Sequence, residues 1–301
     1  MSGPMHGARL HWARDGADWP HRAHSRFVHA GGLHWHVQVA GQGPVLLLLH
    51  GTGASSHSMA GLLPLLAERF TVVVPDLPGH AFTDALPGSA SLPAMSRALA
   101  ALLAVLAVAP PALVAGHSAG AAIGAQLVLD GHAPARAVVA INGALLPFDG
   151  LAGLLFAPLA RLVGGGPLLP GLVSRLVARQ ARDPRALRRL IDGTGSSVPP
   201  ASAALYARLV QSPAHVAGAL AMMSHWDLRP LAEALPRLPA PLWLLASDRD
   251  RMVPPAQAQD LARRLPRARC VPLPGTGHLA HEEQPAPVAA LIALAGDGGG
   301  D

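Results

Sequence analysis

The chain has 301 residues, 50% of them hydrophobic and 14% charged, with a mean hydropathy of +0.33; this suits a large buried core and excludes a disordered tail or a charged coiled coil. All 23 basic residues are arginine and the net charge is +5, yet aromatic residues make up only 4%, too few for a base-stacking surface, so nucleic acid is not an expected partner. The single cysteine, Cys270, excludes an internal disulfide framework.

Residues 1–24 are polar, rich in His, Arg and Trp, and without a clear period; they read as an arm that packs late or frays. They lack the charged-then-apolar order of a secretory signal, so a cytoplasmic location is expected. Residues 26–29 and 33–39 flank Gly31-Gly32, a pair that accepts positive φ, and make an antiparallel hairpin. Residues 45–49, 70–74, 112–115 and 137–141 are short continuous apolar runs, the pattern of strands buried on both faces. Between them, 59–68, 95–108 and 119–129 have helical composition, so an α/β fold with a mostly parallel sheet and helices on both faces follows. The longest apolar stretch, 99–115, is interrupted by Pro110 and Pro111 and falls short of the roughly 20 residues a bilayer span needs.

The alternation stops at Pro147 and resumes with a strand at 241–245, a helix at 256–265, a strand at 270–273 and a helix at 286–294. The core therefore divides into 25–147 and 237–295. Residues 148–236 form a mostly helical insertion, expected to cap the strand ends where open α/β sheets bind ligands. Residues 296–301 read as a flexible tail.

Gly116-His117-Ser118-Ala119-Gly120 follows one strand and opens a helix. Glycines on both sides of Ser118 let backbone approach a tight strand-to-helix turn that holds the serine Oγ above the sheet, at a helix N-terminus that favours developing negative charge. Taken alone, the pentapeptide is equally a glycine-rich turn with a serine helix cap. A nucleophilic serine needs a base, and the base needs an acid to fix its tautomer. Candidates lie downstream, each after a strand: Asp248 and Asp250 before Met252-Val253-Pro254, and His278 in a glycine-flanked loop. His281, nearer a helix start with Glu282 and Glu283, reads as packing or support. Acyl transfer also needs donors for an oxyanion. His50-Gly51-Thr52-Gly53-Ala54 follows the first long buried strand and fits that need, with the amides of Thr52 and Ala119 as the expected pair. By itself that turn is as readily an anion nest or a plain loop; without a following Gly-Lys-Ser/Thr it is not a P-loop.

Sixteen histidines invite a metal reading. His34 and His36 share one face of a strand, but no His-Glu-x-x-His or Cys/His set accompanies them. No metal and no cofactor is expected. Gly51, Gly53, His117, Met222, Met223 and Trp226 are candidates for a substrate pocket, although Met and Trp are more often plain core. Arg175, Arg179, Arg182, Arg185, Arg188 and Arg189 are spaced as a basic helical face, for which solvation is the default. Residues 149–236 hold nine arginines against five acidic residues, so the positive surplus sits mainly on the insertion.

Over about residues 26–294 the motif set resembles the serine α/β-hydrolases. The resemblance implies the α/β-hydrolase fold and its Ser-Asp-His chain order, and the family's Asp-x-x-Val-Pro spacing selects Asp250 over Asp248. Ser118 would be the nucleophile, His278 the base and Asp250 the orienting acid. A serine there argues against haloalkane dehalogenase or epoxide hydrolase chemistry, which the fold associates with Asp. A closer likeness spans nearly the whole chain. Trp19-Pro20, Ser25-Arg26-Phe27-Val28, Trp35-His36-Val37-Gln38, His50-Gly-Thr-Gly-Ala54, Asp76-Leu-Pro-Gly-His80, His117-Ser-Ala-Gly-Ala-Ala-Ile123, Thr194-Gly-Ser196, Met222-Met223, Trp226-Asp227-Leu228 and His278-Leu-Ala-His-Glu-Glu283 resemble the magnesium-chelatase accessory α/β-hydrolases of bacteriochlorophyll biosynthesis. Ala81, where the hydrolase loop usually has glycine, and Met59, where relatives are expected to carry Trp, depart from the pattern. The likeness implies a role near magnesium insertion into a porphyrin. Two readings follow: hydrolysis of an ester, thioester or related acyl bond in an apolar or anionic substrate, or non-catalytic porphyrin binding beside magnesium chelatase, with arginines pairing the propionates. A third is peripheral contact of the insertion with an anionic membrane, including the photosynthetic membrane.

Overall fold

The computed structural model describes residues 9–147, 169–181 and 183–298. Eight strands form one sheet: β1 (Ser25–Ala30), β2 (Leu33–Ala40), β3 (Val45–Leu49), β4 (Thr71–Pro75), β5 (Leu113–His117), β6 (Ala137–Ile141), β7 (Leu242–Ser247) and β8 (Ala268–Leu273), in the order β1-β2-β4-β3-β5-β6-β7-β8. β2 runs antiparallel to both neighbours, and all other pairings are parallel. Gly31 and Gly32 turn the β1–β2 hairpin at φ 57° and 78°.

Side chains alternate along each strand and feed two apolar layers. Leu47, Leu49, Val114 and Val138 face one side with α3 (Leu92–Val105) and α4 (Ala119–Leu129). Leu46, Leu48, Val139 and Ile141 face the other with α2 (Leu62–Ala67) and α12 (Pro285–Gly296). Where one helix is expected over 59–68, the chain makes a 3-10 turn, Ser56–Met59, and only then α2. Ser55 caps the turn, and Gly61 lies so close to Pro285 that a Cβ would come within 2.9 Å of it. α3 starts three residues before its expected position because Pro93 favours the first helical turn, and it ends before Ala107 at φ 53°. α12 runs on to Gly296, and Asp297 pairs with Arg69 at 2.6 Å, so the expected tail is shorter.

Between β6 and β7 lie α5 (Leu169–Gln180), α6 (Pro184–Asp192), α7 (Pro200–Val210), α8 (Pro213–Ser224) and α9 (Arg229–Ala234). Arg175, Arg179, Arg185, Arg188 and Arg189 are exposed there; Arg182 lies outside the described residues. α10 (Pro255–Arg264) and the short α11 (Ala280–Glu283) belong to the second core segment. α11 docks the insertion through two carboxylates. Tyr206 donates to Glu282 Oε1 at 2.6 Å and Ser202 donates to its Oε2; Glu283 accepts the amides of Ser197 and Gly277 at 2.9 and 2.7 Å. Among the described residues no helix is long and apolar enough to cross a membrane.

The arm does not fray where it is described. α1 (Trp12–Asp15) is followed by Trp19, 2% exposed, which packs with Phe82 and with Leu205 and Leu209 of α7 and donates from Nε1 to Ser56 Oγ at 3.1 Å. Arg208 of α7 grips Asp18 through bonds of 2.6 and 2.9 Å. The ion pair is exposed and worth little; aromatic burial ties core, arm and insertion together.

Many histidines are core residues. Burial pulls His50 down to about 4 and His57, His80, His215 and His281 down to about 3, so all five are neutral near pH 7. Burial pushes Glu282 the other way, up to about 7, against the hydrogen bonds from Ser202 and Tyr206. Beside Trp19, His36 Nδ1 contacts Asp76 at 2.7 Å, Nε2 contacts Ser25 Oγ at 3.0 Å, and rings of Trp12, Phe27 and Phe82 cover it. Burial alone would raise the Asp76 carboxyl, but His36 and the Ser56 amide hold it well below the carboxylate range. His34 stacks on Phe27. Among the described residues no group of three or more His, Cys, Asp or Glu is placed to hold a metal ion.

Trp19→Ala is expected to cost about 3 kcal/mol, read as a lowered urea midpoint. The depressed histidines contribute stability that is present above about pH 6.5 and is lost as pH falls toward 4 and 3, so thermal midpoints should drop steeply over that window. Glu282 has the opposite sign: its contribution is present below its unfolded value of 4.5 and is lost as pH rises through 7. Glu282→Gln should therefore gain on the wild type between about pH 4.5 and 7 and hold a constant gain above that; parallel midpoints across the range would refute the assignment.

Candidate active site

β5 ends at His117 and α4 begins at Ala119, leaving Ser118 in the turn at φ 50°, ψ −117°. Holding a non-glycine residue at positive φ costs about 1–3 kcal/mol, and three glycines make room for it. A Cβ on Gly116 would sit 2.5 Å from the Ala121 nitrogen, one on Gly120 2.5 Å from the His50 carbonyl oxygen, and one on Gly51 3.1 Å from Ser118 Cβ. The Ser118 amide donates to Ile141 at 3.0 Å, while its carbonyl accepts from Ala121 and Ala144 at 3.1 Å. Its side chain makes no cap hydrogen bond to α4, so the hydroxyl is not spent as a helix cap.

His278 is held on every side. Its amide donates to Thr194 at 3.1 Å, and its carbonyl accepts from His117 Nε2 and Asn142 Nδ2, each at 2.9 Å. Its Nδ1 donates to Asp250 Oδ2 at 2.8 Å. Because a carboxylate only accepts, a proton sits on Nδ1, and in the neutral ring Nε2 keeps its lone pair. The other Asp250 oxygen accepts the amides of Met252 and Val253 at 2.7 and 2.9 Å, which fixes the carboxylate in its turn. Asp248 is exposed and instead accepts the Gly275 amide at 2.8 Å. The ring of His117, next to Ser118 in the chain, lies 4.6 Å from that of His278 and 4.4 Å from that of buried His281.

Thr52 and Ala119 flank this elbow. Ala119 opens α4, where first-turn amides have no intrahelical acceptor. Thr52 lies in the 51–54 turn, closed by the Ala54 amide on the Gly51 carbonyl at 3.2 Å; that carbonyl also accepts from His50 Nδ1 at 2.8 Å. Met222 is fully buried, and its Sδ accepts from Thr52 Oγ1 at 3.0 Å. Met223 is half-buried, and Trp226, also half-buried, packs on the apolar layer of α3 and α4.

Sequence reasoning missed Asn142. At φ 46° just after β6, it donates to Ser247 Oγ and to the Gly277 and His278 carbonyls, and accepts the Ser247 amide. The Asn142-Gly143 pair after a buried strand was the available signal, since Asn tolerates positive φ. It also missed why Thr194-Gly-Ser196 matters: Ser196 Oγ accepts the Leu279 amide at 2.8 Å, and Gly195 meets Gly277 with no room for a side chain between them. His80 and His215, which bracket Gly53, were not singled out either.

An acceptor-ready imidazole, an oriented carboxylate and a serine at a strained elbow can carry acyl transfer. Comparison with known proteins agrees at the level of family. The chain is 43% identical over 269 residues, 88% of its length and 92% of the other, to the magnesium-chelatase 30 kDa subunit of Rhodobacter capsulatus. It is 31% identical over 265 residues, 83% and 94% of the two chains, to the pimeloyl-(acyl-carrier protein) methyl ester esterase of Xanthomonas oryzae pv. oryzae. An alpha/beta hydrolase fold protein from Burkholderia ambifaria superposes with a TM-score of 0.74 at 22% identity, covering 89% and 96% of the chains, and epoxide hydrolase CorEH with 0.73 at 20%, covering 90% and 96%; these two speak to the fold alone. With the alpha/beta hydrolase family model matching residues 46–291, the chain belongs to the alpha/beta hydrolase family.

Proposed function

We propose that the chain is a serine hydrolase that cleaves an ester, thioester or related acyl bond through an acyl-enzyme, beneath a cap that includes the helices α5 to α9 of the insertion. The observation that carries this reading is the Asp250–His278 hydrogen bond, which leaves His278 Nε2 as an acceptor. Ser118 Oγ attacks the acyl carbon as its proton passes to His278 Nε2, and the carbonyl oxygen becomes an oxyanion received by the Thr52 and Ala119 amides. Collapse expels the alkoxide or thiolate, which takes the proton from His278. Water then enters; His278 removes its proton, and a second collapse frees the carboxylic acid and returns Ser118.

We further propose that this chemistry serves the magnesium-porphyrin stage of bacteriochlorophyll biosynthesis, beside magnesium chelatase. The 43% identity to a protein named as a chelatase subunit supports that placement; the esterase relative supports the reaction class. The first name also keeps open a binding role in which the triad is idle and the exposed arginines of the insertion meet porphyrin carboxylates.

Ser118→Ala is expected to abolish labelling by a fluorophosphonate probe and to lower kcat/KM on a p-nitrophenyl ester by roughly 10⁴-fold or more, with an unchanged thermal midpoint. In a strain lacking the protein, bacteriochlorophyll should not be restored by Ser118→Ala at normal protein level. Full restoration would move the role from catalysis to binding, and a folded wild type that never reacts at Ser118 would sink the hydrolase reading.

A further inference from the structure

The loop that carries Thr52 is gripped from the insertion. Gly53, at φ 76°, sits between two imidazoles: its amide donates to His80 Nε2 at 3.2 Å, and its carbonyl accepts from His215 Nε2 at 3.0 Å. His215 Nδ1 in turn accepts the Ala81 amide at 3.0 Å, so its single proton is the one on Nε2. His80 places its proton on Nδ1 and donates to the Pro78 carbonyl at 3.1 Å. The two rings meet edge to face with centroids 5.2 Å apart. Both are buried, 0% and 3% exposed, and burial keeps both neutral.

His215, Gly218 and Met222 follow one another at three and four residues, so they share one face of α8. That face lies flat on the paired loops at 51–54 and 78–81. A Cβ on Gly218 would come within 2.8 Å of Gly79 Cα, and a Cβ on Gly79 within 2.9 Å of Gly218 Cα. Such contact between backbones needs glycine on both sides. One turn further along, Met222 Sδ takes the Thr52 hydroxyl. Ser212 starts the helix, its Oγ accepting the His215 amide, so the imidazole is carried on a capped first turn rather than on a free loop.

We propose that His215 is a positioning residue for the oxyanion loop: by holding the Gly53 carbonyl it fixes the peptide chain on which the Thr52 amide is aimed, so the insertion completes the acyl-transfer site as well as covering it. The proposal rests on Ser118 as nucleophile. His215 touches no reacting atom. It acts through Gly53, and the Ala81 bond keeps its ring in the tautomer and orientation that the Gly53 carbonyl requires.

His215→Ala is expected to lower kcat for ester hydrolysis roughly 10- to 100-fold with KM changed less than about threefold, because a displaced donor loses more transition-state than ground-state interaction. His215→Gln can donate to the Gly53 carbonyl and accept the Ala81 amide with its one side chain, and it should recover most of kcat. Hydrogen exchange over residues 50–55 should quicken in the Ala variant and return toward wild type in the Gln variant. Should His215→Ala fail to fold, His215→Asn, too short to reach both partners, takes its place. A rise in KM alone, or unchanged kcat and unchanged exchange, overturns the proposal. A wild type unreactive at Ser118 overturns the hydrolase reading separately; exchange over residues 50–55 then still decides whether His215 holds the loop.

Discussion

A single steric demand organises this molecule. Ser118 sits at positive φ, and it stays there only because the end of β5, the first turn of α4 and the loop after β3 crowd it more closely than any side chain would allow. Gly51, Gly116 and Gly120 are the three places where that crowding occurs. Strain of this kind persists when the surroundings over-determine it, and here the surroundings are the parallel strands β3, β5 and β6, buried along their length. The rigidity of the sheet and the strained backbone of Ser118 thus have one source.

Around the elbow, the polar main chain of several loops has to be satisfied away from water. The protein does this largely with neutral imidazoles. Each ring has one acceptor and one donor on opposite edges, so it joins two loops without introducing charge. His50 joins Gly51 to Leu77, and His80 and His215 join Gly53 to its neighbours. A Lys or Arg in these positions would lack the acceptor, and an Asp would lack the donor. Where a buried carboxylate joins in beside these rings, as at Asp76, it has His36 beside it and the Ser56 amide on its other oxygen. This arrangement explains how so many of the described histidines can lie buried in the core.

The parts of the fold legible in the sequence were those with local causes. Continuous apolar runs read as buried strands, the Gly31-Gly32 pair as a hairpin, and the glycine-flanked serine as an elbow. Family spacing favoured Asp250, and the fold sets its carboxylate against His278 Nδ1. What escaped was the set of contacts that depend on tertiary proximity. Asn142 looks like an ordinary loop residue until β6, β7 and the His278 loop meet at it. His215 looks like any helical histidine until α8 is laid on Gly53. Trp19 reads only as part of an arm that packs late or frays, because its partners Leu205 and Leu209 are almost two hundred residues away. Met222, read as a pocket residue or as core, is core by burial and still touches Thr52. Ala81 departs from the glycine usual at its position and is held at φ 42°; its amide is bound by His215, a partner that no local pattern announces.

The same distances along the chain bear on the order of assembly. Thr194 waits for His278, Tyr206 for Glu282, and Arg208 closes back on Asp18. Loop closure over such spans must be accomplished before its contacts return any stability, and folds dominated by distant pairings form slowly. On the ribosome, the strands from β1 to β6 emerge with the Ser118 elbow, while the loop that carries His278 follows only after the inserted helices, β7 and β8. The Asp250–His278 pair, bound to His117 through the His278 carbonyl, thus meets the strained elbow only when the two halves of the sheet come together.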